Sequence, residues 1–152
     1  MKDDNELLWN VYREHCDWER HHETQRSSVT NIMIAVAAGV IGVISLDGAL
    51  GVPDLPLSIF LIVQGLFGAV FVGKQYERFA RHQRLAGLYR EQLNKNLQGA
   101  QIVMIRDTGD ETQKSCYPLF SRLRLNHLWI YLHMSFAVFG IVLAFIILVQ
   151  QN

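Results

Sequence analysis

Hydrophobic and polar residues are segregated along this chain into long blocks. Three blocks carry no Asp, Glu, Lys or Arg: Ser27 to Leu46, Leu55 to Gly73, and Leu128 to Asn152. As helices rising about 1.5 Å per residue, Val29 to Leu46 reaches ~27 Å and Leu128 to Val149 ~33 Å, near the ~30 Å core of a bilayer. The middle block, "LPLSIFLIVQGLFGAVFVG", reaches about as far as the first. A buried soluble helix is the rival reading for any one block, but three of them in 152 residues leave too little chain to cover them. The pattern predicts an all-α integral membrane protein with three transmembrane helices, at 29–46, 55–73 and 128–149.

The flanking segments carry their own periodicity. From Glu6 to Gln25, Leu8, Val11, His15, Trp18 and His22 recur at three- and four-residue steps, the mark of a helix with one semi-apolar face. No proline or glycine separates it from the first span, so the two are expected to run on as one helix. Asp47-Gly48 should end it, and "GVPDLP" reads as a turn within an external loop, 47–54. Beyond the second span, Tyr76, Phe79, Ala86, Tyr89, Leu93 and Leu97 form a second stripe, with Gly99 as its C-cap. "QIVMIR" is β-favouring and "DTGDETQ" reads as a loop. Pro118 opens an amphipathic interfacial stretch, after which Trp129 and Tyr131 mark the aromatic belt of the third span.

The net charge of zero argues against nucleic-acid binding, and the placement of the charges orients the chain. Residues 1–28 hold four basic side chains and residues 74–127 the other ten, while the 47–54 loop and the 150–152 tail hold none. Basic residues stay on the cytoplasmic side. The N-terminus and the 74–127 region are therefore expected in the cytoplasm, and the C-terminus outside. No removable signal peptide is evident, so the first span is expected to act as its own signal anchor. Cys16 and Cys116, without a Cys-x-x-Cys spacing, should be free thiols in a reducing compartment.

Spans one and two, joined by a short loop, predict an antiparallel hairpin whose helices extend into a two-helix cytoplasmic stalk. Equal depth pairs position n with about 102 − n, setting Glu23 near Phe79, Glu19 near Gln83, His15 near Gly87 and Val11 near Glu91. Residues 1–28 carry seven acids against four bases and residues 74–98 six bases against two acids, so the two segments attract. Glu19, His22 and Glu23 are expected to pair with Arg78, Arg81 and Arg84.

Two sets of residues are candidates for chemistry. Glu19-x-x-His22 has a spacing that di-iron bundles use, and His15, Glu19 and His22 share one helical face. No second Glu-x-x-His exists and the facing segment offers only His82 and Glu77, so stalk pairing is favoured over a metal or a pH-sensitive histidine switch. The second set is intramembrane. Gln64, at the midpoint of span two, must find a partner, and span one offers Ala37, Ala38 and Gly39 at that depth. Ala35-x-x-x-Gly39, Ala38-x-x-x-Gly42 and Gly65-x-x-x-Ala69 are spacings that let helices approach closely. Gln64 then either bonds a backbone carbonyl inside the hairpin or lines an oligomeric seam or pore, and Asn31 and His133 could bond each other.

Enzyme signatures are absent: no phosphate-binding glycine loop, no nucleophile elbow, and no pair of intramembrane acids. No cofactor is expected. The segments "LLWNVYREHCDWERHHETQRSS" and "KQYERFARHQRLAGLYREQL", flanking a two-span hairpin over roughly residues 5–98, resemble the SLATT-type membrane modules of bacteria. That resemblance implies a membrane-perturbing effector of conflict and anti-phage systems. The resulting expectation is a multi-pass protein of the bacterial inner membrane that self-associates through its helices and is triggered through its stalk. The alternative is a non-toxic scaffold or accessory subunit. Expected partners are the lipid bilayer, further copies of the chain, and a cytoplasmic protein or nucleotide-signalling partner.

Overall fold

A computed structural model describes residues 2–46, 48–97 and 101–151, with side chains from residue 4 onward. Four α-helices account for most of the chain: α1 (Lys2–Ile44), α2 (Leu55–Asn96), α3 (Ile102–Cys116) and α4 (Leu125–Val149). Single 3-10 turns precede α2 (Val52–Asp54) and α4 (Phe120–Arg122), and no strand occurs among the described residues. Three of the helices are long and apolar enough to cross a membrane. At about 1.5 Å per residue α1 and α2 each reach over ~60 Å, about twice a bilayer core, so each has length for one crossing and a polar extension. Helix α1 does run without a break from the polar segment into the apolar one, as the absence of Pro and Gly dictates.

The chain divides into two compact units. One comprises Thr24–Gln75 and Leu125–Asn152, the other Met1–Glu23 and Tyr76–Arg124. The first is the apolar unit. Its core is Ala37, Ile44, Leu61 and Leu143, with Val40, Ile41, Leu50, Leu57 and Phe136 packed around it. Helix α1 ends at Ile44, where the Ser45 hydroxyl and amide both donate to the Ile41 carbonyl. Gly48 adopts a left-handed φ of 69°, a conformation glycine takes without steric cost, while Asp47 lies outside the described residues. At the other end of the turn the Asp54 carboxylate accepts from the Gly51 amide at 3.0 Å, and Pro53 sits inside the 3-10 turn it favours.

The glycines of this unit correct one expectation. A Cβ on Gly65 would stand 2.5 Å from the Ala137 amide and 2.6 Å from the His133 carbonyl oxygen, and one on Gly140 would stand 2.6 Å from the Ser58 carbonyl oxygen. A Cβ on Gly68 would run into the His133 ring. The close approach is thus between α2 and α4, through Gly65, Gly68 and Gly140. Gly39 and Gly42 of α1 are exposed with nothing within 4 Å of an added Cβ. They do not pack against α2. Of the span-one small residues it is Ala37, fully buried, that faces the core, since Ala35, Ala38, Gly39 and Gly42 lie on another face of the helix.

In the second unit the N-terminal part of α1 and the later part of α2 touch in opposite order along the chain. The Asn96 amide donates to the Asn5 carbonyl at 2.9 Å, and His15 meets His82. Ala86 and Leu93 of the expected stripe are buried, whereas Leu97 remains exposed. Residues 102–116, expected as a β-favouring run and a loop, form α3 instead. The Asn94 side-chain oxygen accepts from the Ile102 and Val103 amides at 3.0 and 3.4 Å, satisfying donors that a helix start leaves open. That long-range cap, with no neighbouring strand to pair with, overrides the weak local preference. The Gly99 cap expected for α2 lies outside the described residues. The stretch after Pro118 is one 3-10 turn and a short extended link, and α4 begins only at Leu125.

Valine at Gly65 or Gly140 is expected to destabilise the apolar unit by about 1–3 kcal/mol, the cost of overpacking a close contact. Valine at Gly39 or Gly42 should change it by less than ~0.5 kcal/mol. Denaturant titration of detergent-solubilised variants, followed by circular dichroism, measures the difference. Equal losses at all four positions would contradict the assigned contacts.

Candidate functional site

Two groups of polar side chains stand apart from ordinary packing, one in each unit. In the apolar unit, Thr30, His133 and Gln64 are buried, Thr30 and His133 completely. The Thr30 hydroxyl and His133 Nε2 lie 3.2 Å apart and share a hydrogen bond. Gln64 Nε2 donates to the Met33 carbonyl oxygen at 2.6 Å. The expected backbone bond for Gln64 is therefore present, one turn earlier on α1 than Ala37. Its Oε1 and His133 Nδ1 are buried with no partner.

Asn31, expected to bond His133, is exposed, because the neighbouring Thr30 occupies the inward face. The contact residues missed from the sequence are Thr30, Gly68 and Gly140. Thr30 was hidden because a lone threonine in an apolar run carries no spacing signal. Gly65-x-x-Gly68 was legible as a pair of small residues one turn apart. Ala69 is half-buried beside them. Arg26 is also buried here, its guanidinium carbon 5.8 Å from the Trp129 ring centroid, a cation held over an aromatic face.

In the second unit, histidine and aromatic rings gather around His82. The Nδ1 atoms of His15 and His82 are 3.0 Å apart, and the ring centroids are 5.2 Å apart. His22 and Trp18 lie 5.5 and 6.0 Å from the His82 ring, and Tyr89 stacks on His15 at 5.4 Å. The one-turn spacing of His15, Trp18 and His22 is what puts all three on the side of α1 that meets α2. A His15–His82 hydrogen bond needs one Nδ1 to donate and the other to accept, so it is lost when both rings are charged. Burial, and then the nearby His15, His22 and Arg81, push His82 below the ordinary histidine range, with Glu14 acting weakly in the opposite sense.

Glu19 departs from the expected pairing. Burial pushes its carboxyl up, and the cations that counter this are Arg20 and Arg90, not Arg78, Arg81 or Arg84. Ala86 and Gly87 leave open space on α2, in a cavity that Glu19 and Arg90 both line. Arg78 is exposed, and Arg84 lines the same cavity as Glu19. Glu23 adds like charge beside Glu19, and Asp17 binds Arg20 on the outer surface. His22 lies against His82, while Glu19 lines the cavity that Arg84 and Arg90 share. Among the described residues no group of three or more His, Cys, Asp or Glu side chains is placed to hold a metal ion. Cys16 and Cys116 are free thiols.

No family model, no curated protein and no solved structure matches this chain.

The His82 environment sets a pH dependence. A histidine whose folded pKa lies below its unfolded value leaves stability intact above the unfolded value. Stability is then lost as pH falls through 6.5 toward the lower folded value, where the unfolded state takes up the proton first. Glu19 works the other way lower down, since its raised carboxyl lets the fold regain stability as it protonates above 4.5. Thermal unfolding followed by Trp18 and Trp9 fluorescence is expected to show a falling midpoint below pH 6.5 that His82→Gln flattens. An unchanged slope in that variant would contradict the assignment.

Proposed function

We propose that this chain is a non-enzymatic, multi-pass membrane protein that acts by self-association of its helices. The observation that carries this reading is an inverted distribution of side chains in the apolar unit. Val63, Phe67, Val70 and Phe145 are 60–73% exposed, while Thr30, Gln64 and His133 are 0–8% exposed. Apolar side chains outward and polar ones inward is the arrangement that hydrocarbon requires and water penalises. The three charge-free helices then form the crossings, spans one and two as a hairpin, with the basic residues keeping residues 1–28 and 74–127 in the cytoplasm.

Self-association is supported by what α1 leaves unused. Ala35, Ala38, Gly39 and Gly42 form an exposed small-residue face with no partner helix of its own chain against it. In lipid such a face permits close backbone contact with another copy. In this reading the second unit, with its histidine ring cluster, receives a cytoplasmic signal, as a membrane-perturbing effector of a bacterial inner membrane would require. A scaffold or accessory subunit is the second reading, and exposed Met104 and Ile105 on α3 favour it as a docking face for a protein partner.

Sedimentation or light scattering in detergent is expected to show an oligomer that Gly39→Leu with Gly42→Leu reduces to monomer without loss of helicity. In cells, expression of the chain with its trigger should collapse the membrane potential read by a voltage-sensitive dye, and the same double variant should not. An oligomer unaffected by the double variant contradicts the assigned face. An unchanged potential beside a stable co-purifying partner favours the scaffold.

A further inference from the structure

A cavity of about 560 Å³ opens in the second unit between α1, α2 and α3. Its size lies within the roughly 300–1,000 Å³ of small-molecule sites. The floor is kept open by Ala86 and Gly87, and a Cβ on Gly87 would meet nothing within 4 Å. Three guanidinium side chains line it: Arg84 and Arg90 from α2 and Arg106 from α3. Against them stand two carboxylates, Glu19 and Asp110, which leaves one positive charge in excess.

The arginines are not consumed by one another's partners. Arg90 Nε is buried without a hydrogen-bond partner, an arrangement that costs free energy until an acceptor arrives. Arg106 bonds Asp107, its immediate neighbour, through Nε at 2.7 Å. That pair is exposed and exchangeable. Planar guanidinium forks match the oxygens of a phosphate group in pairs, and the several oxygens of one phosphate group can accept from more than one fork at once.

We propose that this cavity binds a phosphate-bearing small molecule through Arg84, Arg90 and Arg106. The phosphate could be carried by a soluble ester or by a lipid headgroup, and these sources are separable. Isothermal titration of the full chain in a non-ionic detergent, with pyrophosphate and separately with a short-chain phosphatidic acid, tests both. Citrate, an anion of similar size without phosphorus, is the control.

Binding of pyrophosphate that Arg84→Gln or Arg106→Gln weakens by roughly tenfold each supports a soluble ligand, because hydrogen bonds to charged groups are about twice as strong as neutral ones. The same loss seen only with phosphatidic acid supports a headgroup. Both variants alter exposed or partly exposed side chains, and circular dichroism confirms that they fold. No binding of either probe, equal binding of citrate, or affinities that neither substitution changes would overturn the proposal.

Discussion

In the membrane setting proposed above, hydrocarbon offers no hydrogen-bond partners, and that single constraint would organise the apolar unit. There, every backbone amide of a lipid-facing helix must be satisfied within the helix, a demand that the three long apolar helices would meet. Polar side chains must then turn inward and meet something. Gln64 finds the Met33 carbonyl, Thr30 finds His133, and the Ser58 hydroxyl bonds back to the Asp54 carbonyl. The apolar side chains left over face outward. Lipid tails are as apolar as leucine, so in that setting burying Val or Phe between the helices would gain little, and the close contact through Gly65, Gly68 and Gly140 would take the place of a large hydrophobic core.

The second unit is held by different forces. Ala86 and Leu93 are its buried aliphatic side chains, and much of the contact between its helices comes from rings and side-chain amides. Contacts of this kind depend on protonation and on competing water. Such a unit sits at the responsive end of the stability range, where a change of charge or a bound anion can redistribute conformations. Its helix α3 buries no side chain, and it is tied to α2 through Asn94 at its first turn.

The fold was legible in the sequence where the signal was long. Charge-free blocks of bilayer length showed the three apolar helices, and the lack of any proline or glycine between Glu6 and the start of the first block showed α1 as one piece. Two contacts, one within each unit, lie near the register that the sequence predicts. Asn96 meets Asn5, one residue from the position that equal depth assigns, and Gln75 donates to Gln25, two residues from it. Short signals failed. "QIVMIR" has β-branched residues but no strand to pair with, and a cap from Asn94 decided for helix. The spacing Ala-x-x-x-Gly marks a face that can pack closely and does not say against what, and among the described residues nothing covers Gly39 or Gly42. Register and net charge do not single out a partner for Glu19, and Arg90, further along α2, lines the same cavity and acts to lower the pKa of its carboxyl.

The central claim is that lipid is the solvent for the outward faces of α1, α2 and α4. Spin labels placed singly at Val63, Phe67, Val70 and Phe145, in a chain with Cys16 and Cys116 replaced by serine and reconstituted in lipid, test it most directly. The account predicts that relaxation at all four is enhanced by oxygen, which concentrates in hydrocarbon, and not by a water-soluble nickel chelate. Enhancement by the nickel chelate at these positions would show that water covers them and would contradict the account.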